Sequence, residues 1–224
     1  MSTPSITVCP PPGPSLLQAY NRTLPPTSQS PSPHIPRAYL DAMTVRHAVY
    51  VDEQHVPITA EGDDDDARSF HWIAYAPPPA SSKTSDEYPT ATNIPVATLR
   101  LVPPPHLPDP YAAEPKTTEP YAKIGRLATL REYRKGGLGR MLVDAAMQWA
   151  GEHRDEIMGT EERGKGEEED EEVGEWKGLV LAHAQKEVQG WWAKMEFVVD
   201  EEMGEWDEEG IAHVGMWRRV DVKS

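Results

Sequence analysis

Apolar residues recur at the spacing of one helical face between Met141 and Trp149, with polar Asp144 and Gln148 between them, which predicts an amphipathic helix. Before it, alternating apolar positions from Ile124 to Leu130 predict a strand. Three glycines and three cations occupy six of the seven positions 134–140 between these two elements. The order is therefore strand, glycine-rich turn and helix.

Further apolar segments flank this unit and alternate between helix and strand patterns. The pattern predicts a helix over 37–50, strands over 70–75 and 96–102, a strand over 179–182, a helix over 185–195, and strands over 197–199 and 213–220. This alternation predicts a mixed α/β sheet.

Composition marks segments that the core does not need. Residues 1–36 are rich in Pro, Ser and Thr, which favours a largely disordered arm with an edge strand over 6–9. Residues 37–224 are then one domain, interrupted by mobile inserts. The inserts are expected at about 77–95, 103–120 and 152–176, because their composition is proline-rich or acidic. The first two look dispensable for chemistry.

The glycine-rich turn indicates an anion site. Glycines allow close backbone approach, and the helix that follows presents unpaired N–H groups and the positive end of its dipole. Its sequence is neither a Walker loop nor a dinucleotide-binding GxGxxG. A tight turn carrying a solvated basic patch is the alternative interpretation.

The segment RKGGLG, residues 134–139, resembles the Arg/Gln-x-x-Gly-x-Gly/Ala signature of the GNAT superfamily of N-acetyltransferases. Two further blocks, VRHAVYVDEQHVP at 45–57 and LAHAQ at 181–185, look like its ElaA-like branch. The resemblance implies a GNAT-like mixed, mostly antiparallel sheet with splayed central strands flanked by helices. It also implies acetyl-CoA as acyl donor, an amine that attacks the thioester directly, and no metal.

Carried onto this sequence, the resemblance implies a cofactor site on the central strand, the loop and the next strand. Its residues are Leu127, Ala128, Thr129, Leu130, Arg134, Lys135, Gly136, Gly137, Leu138, Gly139, Arg140 and Gln185. A base must take the proton of the amine, and the candidates are Glu53, Glu61, His71 and His183, with Glu53 first. Trp192 occupies the place of the tyrosine that protonates the leaving thiolate in many members. Indole is far too weak an acid for that role.

The formal net charge of −15 argues against nucleic-acid binding and favours cationic acceptors such as a small-molecule or peptide amine. The acidic run 61–66 is predicted to be a solvated loop, since it lacks the pattern of a calcium loop. The single cysteine, Cys9, excludes an intramolecular disulfide.

Neither a signal peptide nor a membrane span is visible, so the expected location is the cytoplasm, with the nucleus as an alternative. Trp206, Ile211 and Trp217 could lie in the core or in a homodimer interface. Two functions stay open at this point. One is an acetyl-CoA-dependent N-acetyltransferase, and the other is a CoA-binding regulatory protein of the same fold that has lost turnover.

Overall fold

The computed structural model describes residues 4–79, 93–159 and 174–223. They fall into two compact units. One comprises Met1–Arg100 and Arg126–Val143, and the other comprises Leu101–Gly125 and Asp144–Ser224, each within the described ranges.

The strands and helices follow the chain in this order: β1 (Ser5–Cys9), α1 (Ser15–Ala19), α2 (Arg37–Arg46), α3 (Ile58–Glu61), β2 (Phe70–Ala76), β3 (Ile94–Val102), β4 (Ala122–Thr129), α4 (Leu138–Glu152), α5 (Arg154–Met158), β5 (Leu179–Gln185), α6 (Gln189–Ala193), β6 (Val198–Val199), β7 (Glu205–Glu208) and β8 (Ile211–Arg219). A π-helix, His47–Glu53, extends α2, and single 3-10 turns lie at Pro26–Ser28, Asp64–Arg68, Arg131–Tyr133 and Lys186–Val188.

In the first unit the strand order is β1-β2-β3-β4. The antiparallel register of β1 with β2 joins Ser5 to Tyr75 and Cys9 to His71. Fully buried Trp72, Ile73, Leu99 and Ala128 contribute to the core.

In the second unit the order is β4-β5-β8-β6, and β7 also pairs with β8. β8 is antiparallel to β5, β6 and β7. The parallel register of β4 with β5 covers three residue pairs, from Ala122↔Val180 to Ile124↔Ala182. The sheet is therefore mixed and mostly antiparallel with flanking helices, as the sequence predicted, whereas the splay of the central strands stays a prediction.

The N-terminal segment differs from its prediction. The edge strand expected over 6–9 is present as β1, Ser5–Cys9, whereas residues 15–19 form α1 where composition favoured a disordered arm. The proline-rich composition gave no sign that the few apolar side chains of this segment are buried. Cys9, Leu16, Tyr20 and Ile35 pack together with Tyr39 of α2. Because burial of a few apolar side chains offsets the cost of ordering the chain, a proline-rich segment can fold onto a core.

The inserts gave mixed outcomes. Most of 77–95 and the middle of 152–176 lie outside the described residues. The ends of the latter are ordered, since Ile157 in α5 and Trp176 are both fully buried. Residues 103–120 contain no helix or strand, yet they pack within the second unit, where Ala112 is 9% exposed. None of the helices within the described ranges has the length and apolar run needed to cross a bilayer.

Candidate functional site

The glycine-rich loop combines two left-handed residues with the start of a long helix. Lys135 has φ +67° and Gly137 has φ +80°. The carbonyl of Gly137 accepts the N–H of Met141 at 3.0 Å, which starts the hydrogen bonding of α4. The first N–H groups of a helix have no partner within the helix, and here the glycines leave the backbone open beside them. This is the local geometry of an anion cradle.

Arg134, the first residue of the signature, is held by two contacts within the first unit. Its Nη1 and Nη2 lie 2.7 Å from the two carboxylate oxygens of Glu53. Its Nε donates to the carbonyl of Thr129 at 2.9 Å. The hydrogen bonds from Arg134 lower the pKa of Glu53. The predicted base and the predicted phosphate ligand are therefore partners in one two-point ion pair.

The second half of β4 is distorted and anchored by side chains. Arg126 has φ +49°, an unusual conformation for a residue with a side chain in a strand. The hydroxyl of Tyr50 donates to the carbonyl of Leu127 at 3.0 Å. The N–H of Leu130 donates to the carbonyl of Val96, and its own carbonyl accepts from Tyr133. The backbone N–H and carbonyl of Leu130 therefore both have partners, and the part of residues 127–130 in the predicted cofactor site stays a prediction.

The acidic run was predicted to be solvated, and that prediction is wrong for two of its members. Glu61 is 4% exposed and Asp66 is 1% exposed, because both pair with Arg46, which is fully buried. Nη1 of Arg46 lies 2.7 Å from Oδ1 of Asp66, and Nη2 donates to the carbonyl of Glu61 at 2.8 Å. Burial would raise the pKa of Asp66, but the charges of Arg46 and Arg100 outweigh it and hold this pKa well below its usual value.

A second arginine continues the network toward β4. Arg100 contacts both carboxylate oxygens of Asp63, at 2.5 and 2.8 Å. It also reaches Oδ1 of Asp66 at 2.8 Å. Asp63 in turn accepts from Nη2 of Arg126 at 3.1 Å. The network thus anchors the side chain of the strand residue with the left-handed backbone.

His71 lies beside the same network and is fully buried. Its Nε2 lies 3.1 Å from the carbonyl oxygen of Asp66. Burial lowers the pKa of His71 to about 4, although the charge of Asp66 opposes the shift. Of the four predicted bases, Glu61 and His71 are therefore enclosed by the protein.

The second unit holds the remaining predicted residues. His183 lies on β5 with 17% of its side chain exposed, and its Nδ1 is 3.5 Å from Oδ2 of Asp109. Gln185, the last residue of β5, is paired in register with His213. Trp192 in α6 is 5% exposed, and its ring centroid is 4.9 Å from that of Phe197 in an edge-to-face contact. The indole therefore belongs to the core, and its place in the reaction stays a prediction.

Asp109 was not predicted as a site residue. It lies in the proline-rich connection before β4, which composition indicated to be a dispensable insert, and no local sequence pattern distinguishes it. Among the described residues no group of three or more His, Cys, Asp or Glu side chains could hold a metal ion.

A mixed sheet in which β4 leads through a glycine-rich loop into a long helix makes this an α/β protein. A model of the acetyltransferase (GNAT) family matches residues 46–163, and the chain belongs to this family. This confirms the superfamily that the loop signature indicated.

Solved structures with the same fold include an acyl-CoA N-acyltransferase from Pseudomonas aeruginosa. It is 19% identical with a TM-score of 0.52, and the match covers 96% of this chain and 99% of that one. ElaA from Escherichia coli is 16% identical with a TM-score of 0.51, over 97% and 100% of the two chains. At these identities the likeness shows the fold alone, whereas family membership supports acyl transfer as the general activity.

Proposed function

We propose that the protein is an acetyl-CoA-dependent N-acetyltransferase whose acceptor is a primary amine of a small molecule or peptide. The observation that carries the proposal is the loop of left-handed Lys135 and Gly137 leading into α4. In a member of this family, such a loop is suited to the pyrophosphate of a CoA thioester. Lys135 and Arg140 add positive charge to the loop from their side chains.

Arg134 and Glu53 have a supporting role in this proposal. The carboxylate of Glu53 offsets the charge of Arg134 and fixes its guanidinium against the end of β4. A carboxylate in a two-point ion pair is a poor proton acceptor, because protonation would break that pair. Glu53 is therefore a positioning residue for the loop rather than the base.

The amine must be neutral when it attacks, and a lysine-like amine has a pKa of about 10.4. Glu61 and His71 are enclosed by the buried ion pairs, which leaves His183 as the base among the predicted candidates. With the tyrosine position occupied by the buried Trp192, the thiolate leaves with help from water. A thiol pKa of about 8.5 makes that departure tolerable, and the reaction slower rather than forbidden.

The net charge of −15 supports a cationic acceptor, since a negative surface potential raises the local concentration of amines. Polyamines, aminosugars and lysine-containing peptides share this chemistry.

The test combines calorimetric titration with acetyl-CoA and thiol release in the presence of spermidine, glucosamine or a lysine-containing peptide. We expect micromolar binding and turnover with one of these amines. Gly139→Glu places a negative charge in the first turn of α4 and should weaken binding by about tenfold or more. Gly190→Glu is the matched control, because a side chain at Gly190 in α6 meets open space.

The outcomes separate the two functions. Binding with no turnover on any amine would support the regulatory protein of the same fold. No binding by the folded wild type would contradict both functions.

A further inference from the structure

The proline-rich connection between β3 and β4 is held against its neighbours in the second unit. His106 stacks on Tyr121 with ring centroids 4.7 Å apart, and its Nε2 lies 2.8 Å from the Tyr121 carbonyl. Ala112 packs with Leu181 of β5 and with Met203. The connection is therefore attached at both ends of the stretch that carries Asp109.

Asp109 is fixed within this stretch by its own turn. Its Oδ1 accepts the N–H groups of Tyr111 at 3.0 Å and Ala112 at 3.2 Å. Its backbone N–H donates to Oε1 of Glu114 at 3.0 Å. These bonds leave Oδ2 directed at two other side chains. Nδ1 of His183 is 3.5 Å away and Nζ of Lys123 is 3.8 Å away.

The surroundings of His183 are aromatic and charged. The indole of Trp206 meets its ring edge to face at a centroid distance of 4.8 Å. The titratable groups that act on it are Lys123, Asp109, His213 and His106. Burial lowers the pKa of His183 to about 4, Lys123 adds to the lowering, and Asp109 opposes it. The imidazole is therefore neutral at pH 7 and has a lone pair available.

We infer that Asp109 is a positioning residue that orients the His183 imidazole as the base of the reaction. With Nδ1–H turned toward Oδ2 of Asp109, the lone pair on Nε2 is left for the acceptor amine. The 3.5 Å separation is long for a hydrogen bond, and such contacts often tighten when substrate binds. This inference rests on the proposed acyl transfer.

The protons and electrons of this step balance. The amine binds as its neutral fraction, its first proton having gone to solvent. Its nitrogen bonds to the acyl carbon while the carbon–sulfur bond breaks, and the thiolate leaves with that electron pair. The new bond makes the nitrogen positive and far more acidic than the free ammonium, so its proton passes to Nε2, and the imidazolium that forms faces the carboxylate of Asp109. His183 then gives this proton to the thiolate through water.

The first test reads the imidazole without any turnover. In protein labelled with ¹⁵N-histidine at pH 7.5, the ring of His183 is assigned from the signal that His183→Gln removes. We expect the Nδ1–H tautomer in the wild type. Asp109→Ala should shift the ring toward the Nε2–H tautomer, because it removes the acceptor. A wild-type ring in the Nε2–H tautomer would overturn the inference.

The second test measures kcat and KM with the amine that gives turnover. We expect Asp109→Ala to lower kcat by about tenfold or more, since a general base contributes about 10²–10⁴-fold, and to leave the KM for acetyl-CoA unchanged. Asp109→Asn keeps the shape and guards against a folding defect, and Asp109→Glu should recover part of the rate. Glu119→Gln is the control, because Glu119 lies in the same connection and accepts from Arg219 rather than from the turn of Asp109.

Lys123→Met should act in the opposite direction to Asp109→Asn on the pH dependence. Loss of the positive charge raises the pKa of His183, so the acid limb of the kcat profile moves to higher pH. Loss of the negative charge moves that limb to lower pH. An unchanged kcat and unchanged profile in both Asp109 variants would overturn the inference. No turnover by the wild type would overturn the proposed function instead, and the tautomer would still show whether Asp109 orients His183.

Discussion

Replacing Glu53 by Gln distinguishes a base from a positioning residue. Loss of a general base lowers kcat by about 10²–10⁴-fold. In the structure, however, both oxygens of Glu53 lie 2.7 Å from Arg134, and Arg131 is 3.5 Å away. We therefore expect Glu53→Gln to weaken the binding of acetyl-CoA and to leave kcat within about threefold of the wild type.

The size of the effect follows from the geometry of the pair. Two unit charges about 4 Å apart interact by about 1 kcal/mol in bulk water and by about 4 kcal/mol at an effective dielectric constant near 20. The side chains of Glu53 and Arg134 are 25% and 38% exposed, so solvent screening keeps the net value near the lower figure. A coupling of about 1 kcal/mol limits the loss of acetyl-CoA affinity to about fivefold.

The assay is a double-mutant cycle with Glu53→Gln, Arg134→Gln and the double variant, measuring the dissociation constant for acetyl-CoA and kcat for each. Asp52→Asn is the matched control, because it removes the same charge one residue earlier from a side chain that is 64% exposed. A fall of about 100-fold in kcat for Glu53→Gln, with Arg134→Gln near the wild-type value, would refute the reasoning and restore Glu53 as the base.

Three further predictions concern stability. Arg100 and Arg126 outweigh the effect of burial and hold the pKa of Asp63 at about 2, below the unfolded value of about 3.9, so its stabilisation is present above about pH 4 and is lost as the pH falls toward 2. The melting temperature of Asp63→Asn should therefore fall less steeply over that pH range than that of the wild type. Solvent screening limits the underlying difference in the free energy of unfolding to about 1 kcal/mol, and parallel curves of melting temperature against pH would contradict the prediction. Leu16→Ala should lower the free energy of unfolding by about 2–5 kcal/mol in urea titrations. The control Leu17→Ala changes an exposed side chain and should cost less than about 0.5 kcal/mol, and equal losses in the two variants would contradict the packing of the N-terminal segment against the core. Trp192→Ala should cost about 3–5 kcal/mol because it empties a buried site, and a loss below about 1 kcal/mol in the same titration would contradict that placement.

The central loop was predictable because its signal is local. The strand alternation, the glycines and the helical face lie within the 29 residues from 122 to 150, and each pattern predicts its own element. The helix starts at Leu138, directly after the left-handed Gly137. The order of strand, turn and helix could therefore be predicted, whereas the left-handed Arg126 within β4 depends on distant contacts such as the one with Asp63.

The ion pairs were not predictable for the opposite reason. Arg46 and Asp66 are 20 positions apart, Arg100 and Asp66 are 34 apart, and Glu53 and Arg134 are 81 apart. A run of four aspartates is solvated unless arginines from other elements enclose it, and a single sequence does not show which arginines approach. Asp109 could not be predicted for the same reason, because its proposed role depends on the contact with His183, which is distant in the sequence.

The pairing of β1 with β2 gives the protein a built-in chemical reporter. Cys9, the only cysteine, closes that strand with 2% exposure, and burial raises the pKa of its thiol to about 11. A thiol in that state resists alkylation, whereas a detached β1 would present an ordinary, reactive one. The rate of Cys9 alkylation therefore reports the free energy of the local opening in which β1 detaches from β2 while the rest of the molecule stays folded.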